Sequence, residues 1–209
     1  MRITPPDLYR KFFIDRDFER LDLFQLIAEK YHIQRALYAG SFVHVTPSFV
    51  IPDVVYVDND NGAKKFFADS KYREFVAQQK SYSQDAKITF HFADYRDRFD
   101  ERDNSFDLLI SQYAGFVGQY CKRYLKKGGL LLANNSHGDA GVAAIDKDYQ
   151  LTAVVSLRNG KYRISEDKLE EYFVPRSSKV DVTKEHLIEL QRGIGYKKTA
   201  SMYVFKKLK

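Results

Sequence analysis

The sequence predicts a doubly wound α/β sandwich with a largely parallel sheet and helices on both faces. Three observations predict it. Short apolar runs alternate with segments of helical period through most of the chain, the pattern of strands joined by crossover helices. Runs such as "VVYVD" are apolar almost without a break, which suits strands covered on both faces. The last two strand-like runs differ: about 40 residues separate them, they carry more polar side chains, and one can run antiparallel at the edge.

Taken in order, Pro5 and Pro6 keep the start extended. A helix is expected from Asp15, with Phe18, Leu21, Phe24, Ile27, Ala28 and Tyr31 on one stripe. "ALYAG" (Ala36–Gly40) is a short buried strand. Thr46 before Pro47 suits the start of a short helical turn that Pro52 ends. Val54–Asp58 is the second strand. Asn59–Ser81 is helical, broken near Asp69–Ser70, with Asp60 or Asn61 as its cap.

Lys87–Asp94 and Phe106–Ser111 are the third and fourth strands. Ala114–Lys127 is a helix that Gly128 terminates. Gly129–Asn135, Tyr149–Leu157 and Ala200–Lys207 complete the strands, and "SEDKLEEYF" and "KEHLIELQRG" are helix-like.

The 209 residues suffice for one sizeable core. Residues 1–209 are expected as one domain: an N-terminal helical segment (1–34), a core (35–157), and C-terminal helices with the edge strand (158–209). Apolar residues are 44% and charged residues 30%, a globular balance. Aromatics are 15%, all Phe and Tyr, so many tyrosines must reach a hydrogen-bond partner from a half-buried position. Cys121 is the only cysteine, which excludes an internal disulfide. No apolar leader and no run near ~20 apolar residues is present, so no membrane partner is expected and the cytoplasm is the default location. Five histidines without paired spacing give no metal site. Neither a phosphate-binding Walker loop nor a Gly-x-Ser-x-Gly elbow occurs.

The net charge is +6, and it is uneven. Tyr196–Lys209 holds five lysines and no acid, and Arg158–Arg163 holds three basic residues and no acid. Such a surface can meet an anionic partner or nucleic acid, or be a solvated face.

In open α/β sheets, ligands bind beyond the carboxyl ends of the strands. Polar residues gather there: Tyr38–Phe42, Asp58 and Asn59, Asp94 and Tyr95, Ser111–Tyr113, and Asn134–Asp139. Asp58 has the most specific reading. A carboxylate at the end of the second strand can accept both hydroxyls of a ribose. It lies 18 residues beyond Gly40. A helix-capping role is the competing reading, and Asp60 and Asn61 already supply that cap.

The order of elements over Arg35–Leu157 resembles the class I S-adenosylmethionine-dependent methyltransferases, a Rossmann-like family. "RYLKKGGLLLAN" (Arg123–Asn134) is similar to the family's Leu-Lys-Pro-Gly-Gly turn and fifth strand, with Lys127 for the usual Pro. "LYAGSF", "YVDND", "HFADYRD" and "FDLLIS" fall where the family has its glycine motif, acidic second-strand end, third-strand motif and fourth strand. The resemblance implies a seven-stranded sheet with the last strand antiparallel, and S-adenosylmethionine as cofactor. It implies that Gly40 admits the methionine part, with Tyr38 and Ser41 in the same loop. Asp58, beside Asn59, would hold the ribose, Asp94 and Tyr95 the adenine, and Ser111 and Gln112 the floor near the methyl group.

The departures lie in the loop. Tyr38 stands for the family's acid and Phe42 for its second glycine, where a ring crowds a backbone-hugging ligand. Ser41, His44, Thr46 and Ser48 either bind the cofactor differently or fill its place.

Methyl transfer is an in-line displacement that needs alignment and, for a poor nucleophile, a base. In "NNSHGDAG", His137 and Asp139 are the candidate catalytic pair, with Asn134 and Asn135 as acceptor contacts. The same residues also serve ordinary turn chemistry. Tyr113 can stack on a flat acceptor or act as a lid. No Asn-Pro-Pro-Tyr-like segment supports amino-methylation of bases. The reading is thus a methyltransferase with an unidentified acceptor, or a non-catalytic protein of that fold that binds a partner or nucleic acid through its basic surface. A nicotinamide-dependent oxidoreductase is weaker, because Gly-x-Gly-x-x-Gly is missing.

Overall fold

The computed structural model describes residues 4–178 and 182–209. The chain divides into two compact units, Met1–Phe99 and Asp100–Lys209. Together they carry eight strands of a mixed α/β fold.

In the first unit, helix α1 (Asp7–Tyr9) starts directly after Pro6 and runs into a π-helical stretch, Arg10–Ile14. Asp17 and Arg20 take left-handed backbone (φ 52 and 56), and α2 (Leu21–Tyr31) begins only after them. The helix expected from Asp15 therefore starts six residues later. The cause is tertiary. Phe13 is buried from the preceding helical stretch, while Leu23, Phe24 and Ile27 are buried from α2, and the chain must turn between them. Phe18 stays at the surface with the Arg20 guanidinium over its ring.

Three parallel strands follow: β1 (Arg35–Ala39), β2 (Asp53–Asp58) and β3 (Lys87–Phe92), ordered β3-β2-β1. The register sets Tyr38 beside Tyr56 and Asp58 beside Phe92. The expected turn after Thr46 is a 3-10 helix, Thr46–Phe49. Helices α3 (Asn61–Ala68) and α4 (Lys71–Gln79) are separated at Asp69–Ser70, as expected. Asp69 is extended there, and its carboxylate accepts from Lys71 N. The Asp60 side chain caps α3 by accepting from Gly62 N and Ala63 N. The core is aromatic, with Phe67 stacked on Phe90 at 4.3 Å and Tyr9 against Phe75 at 5.3 Å.

The second unit holds β4 (Phe106–Ser111), α5 (Val117–Tyr120), β5 (Leu125–Ala133), α6 (Asp139–Ile145), β6 (Tyr149–Arg158), β7 (Lys161–Ser165), α7 (Lys184–Leu190) and β8 (Met202–Lys207). Its strand order is β4-β5-β8-β6-β7. Strands β4 and β5 are parallel. Strand β8 is antiparallel to both β5 and β6, and β7 is an antiparallel edge. The eighth strand, beyond the seven expected, is β7. It closes a hairpin through Asn159 and Gly160, both left-handed (φ 51 and 73), in the Asn-Gly turn that favours such hairpins.

The long helix expected over Ala114–Lys127 is absent. Only α5 and a 3-10 turn, Lys122–Tyr124, are helical, and Leu125 already belongs to β5. The backbone of this segment is claimed elsewhere. Asn104 N and Ser105 N donate to the carbonyls of Arg123 and Tyr124. The buried Lys207 ammonium donates to the carbonyls of Lys122 and Leu125 and to Asn104 Oδ1. A helix to Lys127 would need the Lys122 and Arg123 carbonyls for Lys126 N and Lys127 N. Gly128 accordingly sits inside β5 (φ 80), in the irregularity where Phe106 and Leu108 pair with Leu125 and Leu130, and terminates no helix.

"SEDKLEEYF" likewise yields only a 3-10 turn, Leu169–Glu171. Phe173 beyond it packs on Tyr203 at 4.6 Å and Tyr196 at 5.1 Å, which draws the chain out. Cys121 is buried. Among the described residues, no helix is long and apolar enough to cross a membrane. None of their His, Cys, Asp and Glu side chains form a group of three or more placed to hold a metal ion.

Candidate functional site

In the first unit, the carboxyl end of β1 turns at Gly40, whose φ of 65 needs a glycine-like backbone and whose N–H donates to Val57 O at 2.8 Å. Phe42 also has a positive φ, 49, rare for an aromatic residue. Asp58 stabilises it. One carboxylate oxygen accepts from Phe42 N at 2.7 Å and the other from Asp60 N at 2.8 Å. Asp58 therefore ties the loop after β1 to the start of α3 while staying partly exposed. The Phe42 ring packs edge-on to Phe12 at 5.1 Å and lies beside Gly62, where an added Cβ would meet it at 3.4 Å. Asn59 is exposed.

The rest of the loop turns inward. His44 is buried and stacks on Phe13 at 4.2 Å with the two rings nearly parallel. Its Nε2–H donates to Glu19 O at 3.0 Å, which leaves Nδ1 to accept from Tyr38 OH at 3.0 Å. Burial pushes this imidazole down to about 3, so it is neutral. Tyr9 OH donates to Glu19 Oε1, so Thr46 Oγ1 donates to Tyr9. Ser48 bonds Tyr56 OH at 2.6 Å. Ser41 is buried and its hydroxyl donates to Phe42 O. Of the two possibilities for these polar residues, His44, Thr46 and Ser48 serve the interior. Tyr38, at the position of the family's acid, is one of their partners.

At the end of β3, Asp94 is gripped by Arg96. The guanidinium Nε reaches both carboxylate oxygens (2.9 and 3.0 Å), Nη2 donates to one of them, and Arg96 N donates to Oδ1 at 2.9 Å. These bonds hold the Asp94 carboxyl below its usual range. Tyr95 is half-buried beside it.

In the second unit, the residues after β4 and β5 meet at Asp139. It is buried, and one of its oxygens accepts from Ser111 Oγ at 2.5 Å and from Gly118 N at 2.9 Å. The other oxygen has no partner. Burial outweighs those two bonds and pushes the carboxyl up to about 6. Gly118 is what lets α5 approach. A Cβ there would stand 2.7 Å from Leu131 Cδ2 and 2.9 Å from Asp139 Oδ1. Tyr149 OH donates to Gly118 O from the other side at 2.9 Å. Sequence reasoning overlooked Gly118 and Tyr149, because their only signal is a contact made far along the chain.

His137 is half-buried, and no hydrogen bond joins it to Asp139. The structure brings Asp139 to Ser111 instead. Asn134 Oδ1 accepts from Ser136 Oγ at 2.9 Å and, more weakly, from Ser136 N and Tyr113 N, while its buried Nδ2 has no partner. Asn135 Oδ1 accepts from Gly141 N at 2.9 Å. Gln112 is buried, and Tyr113 is exposed with a φ of 59. The asparagine oxygens thus do turn chemistry.

No protein-family model matches the chain, and no curated protein matches it. Many solved structures do. An O-methyltransferase candidate from Klebsiella pneumoniae aligns over 78% of this chain and 89% of its own, at 12% identity and a TM-score of 0.50. A methyltransferase from Geobacter sulfurreducens aligns over 70% and 81%, at 15% identity and a TM-score of 0.49. The chain spans only 50% of the YcgJ protein from Bacillus subtilis, over 54% of its own length, at 16% identity and a TM-score of 0.42. The strand order within each unit, with β8 antiparallel between β5 and β6, and the likeness to the Klebsiella structure lead to one conclusion. This chain has the class I methyltransferase-like fold.

Proposed function

We propose that this chain, as one domain of residues 1–209 in the cytoplasm, is an S-adenosylmethionine-dependent methyltransferase with an unidentified acceptor. The observation that carries the reading is Asp58. It ends β2, is partly exposed, and uses one lone pair of each oxygen on a backbone N–H. A carboxylate has about four lone-pair sites, so each oxygen keeps one for a ribose hydroxyl. The residues present fit the ribose end of the cofactor.

Gly40 admits the methionine part, with Tyr38 and Ser41 shaping the loop from inside, and Asn59 flanks the ribose. Tyr95 lies beside the adenine. Asp94 serves the adenine amino group once Arg96 swings off it. Ser111 and Gln112 line the methyl end. Bound S-adenosylmethionine supplies an electrophilic methyl group on a sulfonium. The protein's own part is to align the acceptor and take its proton. Asp139, pushed up to about 6, can hold or release a proton near neutral pH. His137 is a second base, independent of it. Asn134 Nδ2, Asn135 and Tyr113 contact the acceptor.

The test is calorimetric titration and thermal shift with S-adenosylhomocysteine, on the wild type and on Asp58→Ala and Asp58→Asn. Ligand at about 100 times its Kd should stabilise the native state by about 2.7 kcal/mol. Binding that both variants lose while keeping the wild-type circular dichroism supports the reading. A folded wild type that binds nothing at millimolar ligand overturns it, and leaves a non-catalytic protein on a methyltransferase-like fold.

A further inference from the structure

The hairpin of β6 and β7 carries a surface that methyl transfer does not use. Its register sets Arg158 directly opposite Lys161 and Ser156 opposite Arg163. Because side chains alternate along a strand, Arg158, Lys161 and Arg163 share one face, while Leu157 and Tyr162 lie on the other. Opposite residues stand about 5 Å apart and diagonal ones about 7–8 Å. All three cations are exposed, and none takes part in the ion pairs among the described residues.

Edge protection explains part of this. Charged side chains on an outer strand discourage pairing with another chain. That accounts for Lys161 and Arg163 on β7. It does not account for Arg158 on β6, directly opposite Lys161, where two like charges weaken the pair. Three converging cations without an acid suit an anionic partner with regularly spaced charges. Arginine's planar fork suits phosphate in particular.

The shape narrows the partner. Pairing of β6 with β8 ends at Val155 and Met202, so the strands beyond form a two-stranded ribbon. Its tip is the Asn159-Gly160 turn, where a Cβ on Gly160 would meet nothing within 4 Å. The major groove of B-form DNA admits a two-stranded β-ribbon. The major groove of A-form RNA is too deep and narrow for side chains to read.

We propose that the tip of the β6–β7 hairpin docks in the major groove of duplex DNA, with Arg158, Lys161 and Arg163 on the phosphates beside the groove. This surface is independent of the methyltransferase reading. Of the two basic segments read from sequence, Arg158–Arg163 and Tyr196–Lys209, it selects the first. Lys207, one of the C-terminal lysines, is buried and committed to internal acceptors.

The experiment is fluorescence anisotropy of a labelled 20-base-pair DNA duplex against the full chain, from about 50 to 200 mM salt. The probe is compared with single-stranded DNA, duplex RNA and polyglutamate. The hairpin triple variant Arg158→Ser, Lys161→Ser, Arg163→Ser is compared with a control, Lys127→Ser, Lys147→Ser, Lys184→Ser, which removes the same charge from exposed sites elsewhere. The expected result is tighter binding of duplex DNA than of the other three probes. The hairpin variant should lose at least about tenfold in affinity and flatten the log–log salt slope by about 2–3, while the control changes little. Unchanged melting temperatures of both variants establish that the fold is intact. No binding by the wild type overturns the proposal. So do equal losses in the two variants, and equal or tighter binding of RNA duplex, single strand or polyglutamate.

Discussion

Replacing Asp139 by Asn should change how stability depends on pH. The carboxyl is buried, one oxygen accepts from Ser111 Oγ and Gly118 N, and the other meets no donor. Burial dominates and moves the group from its ordinary 3.8 up to about 6. Between those values the folded state binds a proton that the unfolded state has released. The stability that Asp139 contributes is then fully present below pH 3.8, falls as the pH rises toward 6, and is gone above about 7. The loss is a little over two pKa units at about 1.4 kcal/mol each, or about 3 kcal/mol. Asn keeps an acceptor for Ser111 and Gly118 and carries no charge, so it lacks this term. The assay is urea unfolding of wild type and Asp139→Asn from pH 4 to 8, read as the difference between the two so that other titrating groups cancel. That difference should shift in favour of Asn by about 2.5 kcal/mol between pH 4 and 8, because part of the change already lies below pH 4. A difference constant within about 0.5 kcal/mol would refute the claim that Asp139 is a desolvated acid.

His44 should act with the opposite sign. Its folded imidazole is held at about 3 against an ordinary 6.5, so stability is lost as the pH falls below 6.5. A His44→Gln variant should show a flatter decline in urea midpoint between pH 6.5 and 4, and a decline as steep as wild type would exclude His44 as the cause. Lys207→Met should lower stability by about 2–4 kcal/mol, because it leaves the carbonyls of Lys122 and Leu125 and the Asn104 oxygen buried without their donor. Chemical denaturation at pH 7 measures it, and a loss below about 0.5 kcal/mol would mean that water replaces the ammonium.

The tyrosines illustrate what composition can foretell. Their number required hydroxyls that find partners from inside, and Tyr9, Tyr38, Tyr56, Tyr82 and Tyr149 do so. Which partner each one takes was not legible. Tyr38 reaches His44 six residues on, but Tyr149 reaches the carbonyl of Gly118 across the fold. The candidate site divides in the same way. Asp58 stood out because its place at a strand end is local information. Arg96 lies only two residues from Asp94, and its grip on that carboxylate was legible in principle from "ADYRD", but the strand-end position drew attention to a ligand instead. The pairing of Asp139 with Ser111, and not with His137, joins residues 28 apart and has no sequence signature.

By itself, the sequence determined the α/β class, the order of the main strands, and the break between α3 and α4. All of these rest on hydrophobic period, helix caps and turn residues, which act over a few neighbours. The Asn-Gly turn that makes β7 was equally local and went unread. Tertiary structure alone decided that Ala114–Lys127 is not one helix, that α2 begins at Leu21, and that the loop after β1 fills its interior with His44, Thr46 and Ser48. In each case a buried group from elsewhere in the chain competes for the same backbone or space: Lys207 for two carbonyls, Phe13 for the face of His44, Tyr9 for the Thr46 hydroxyl. Local propensity is worth only tenths of a kcal/mol per residue, whereas a buried polar group left unpaired costs about 1–3 kcal/mol, so the distant contact prevails.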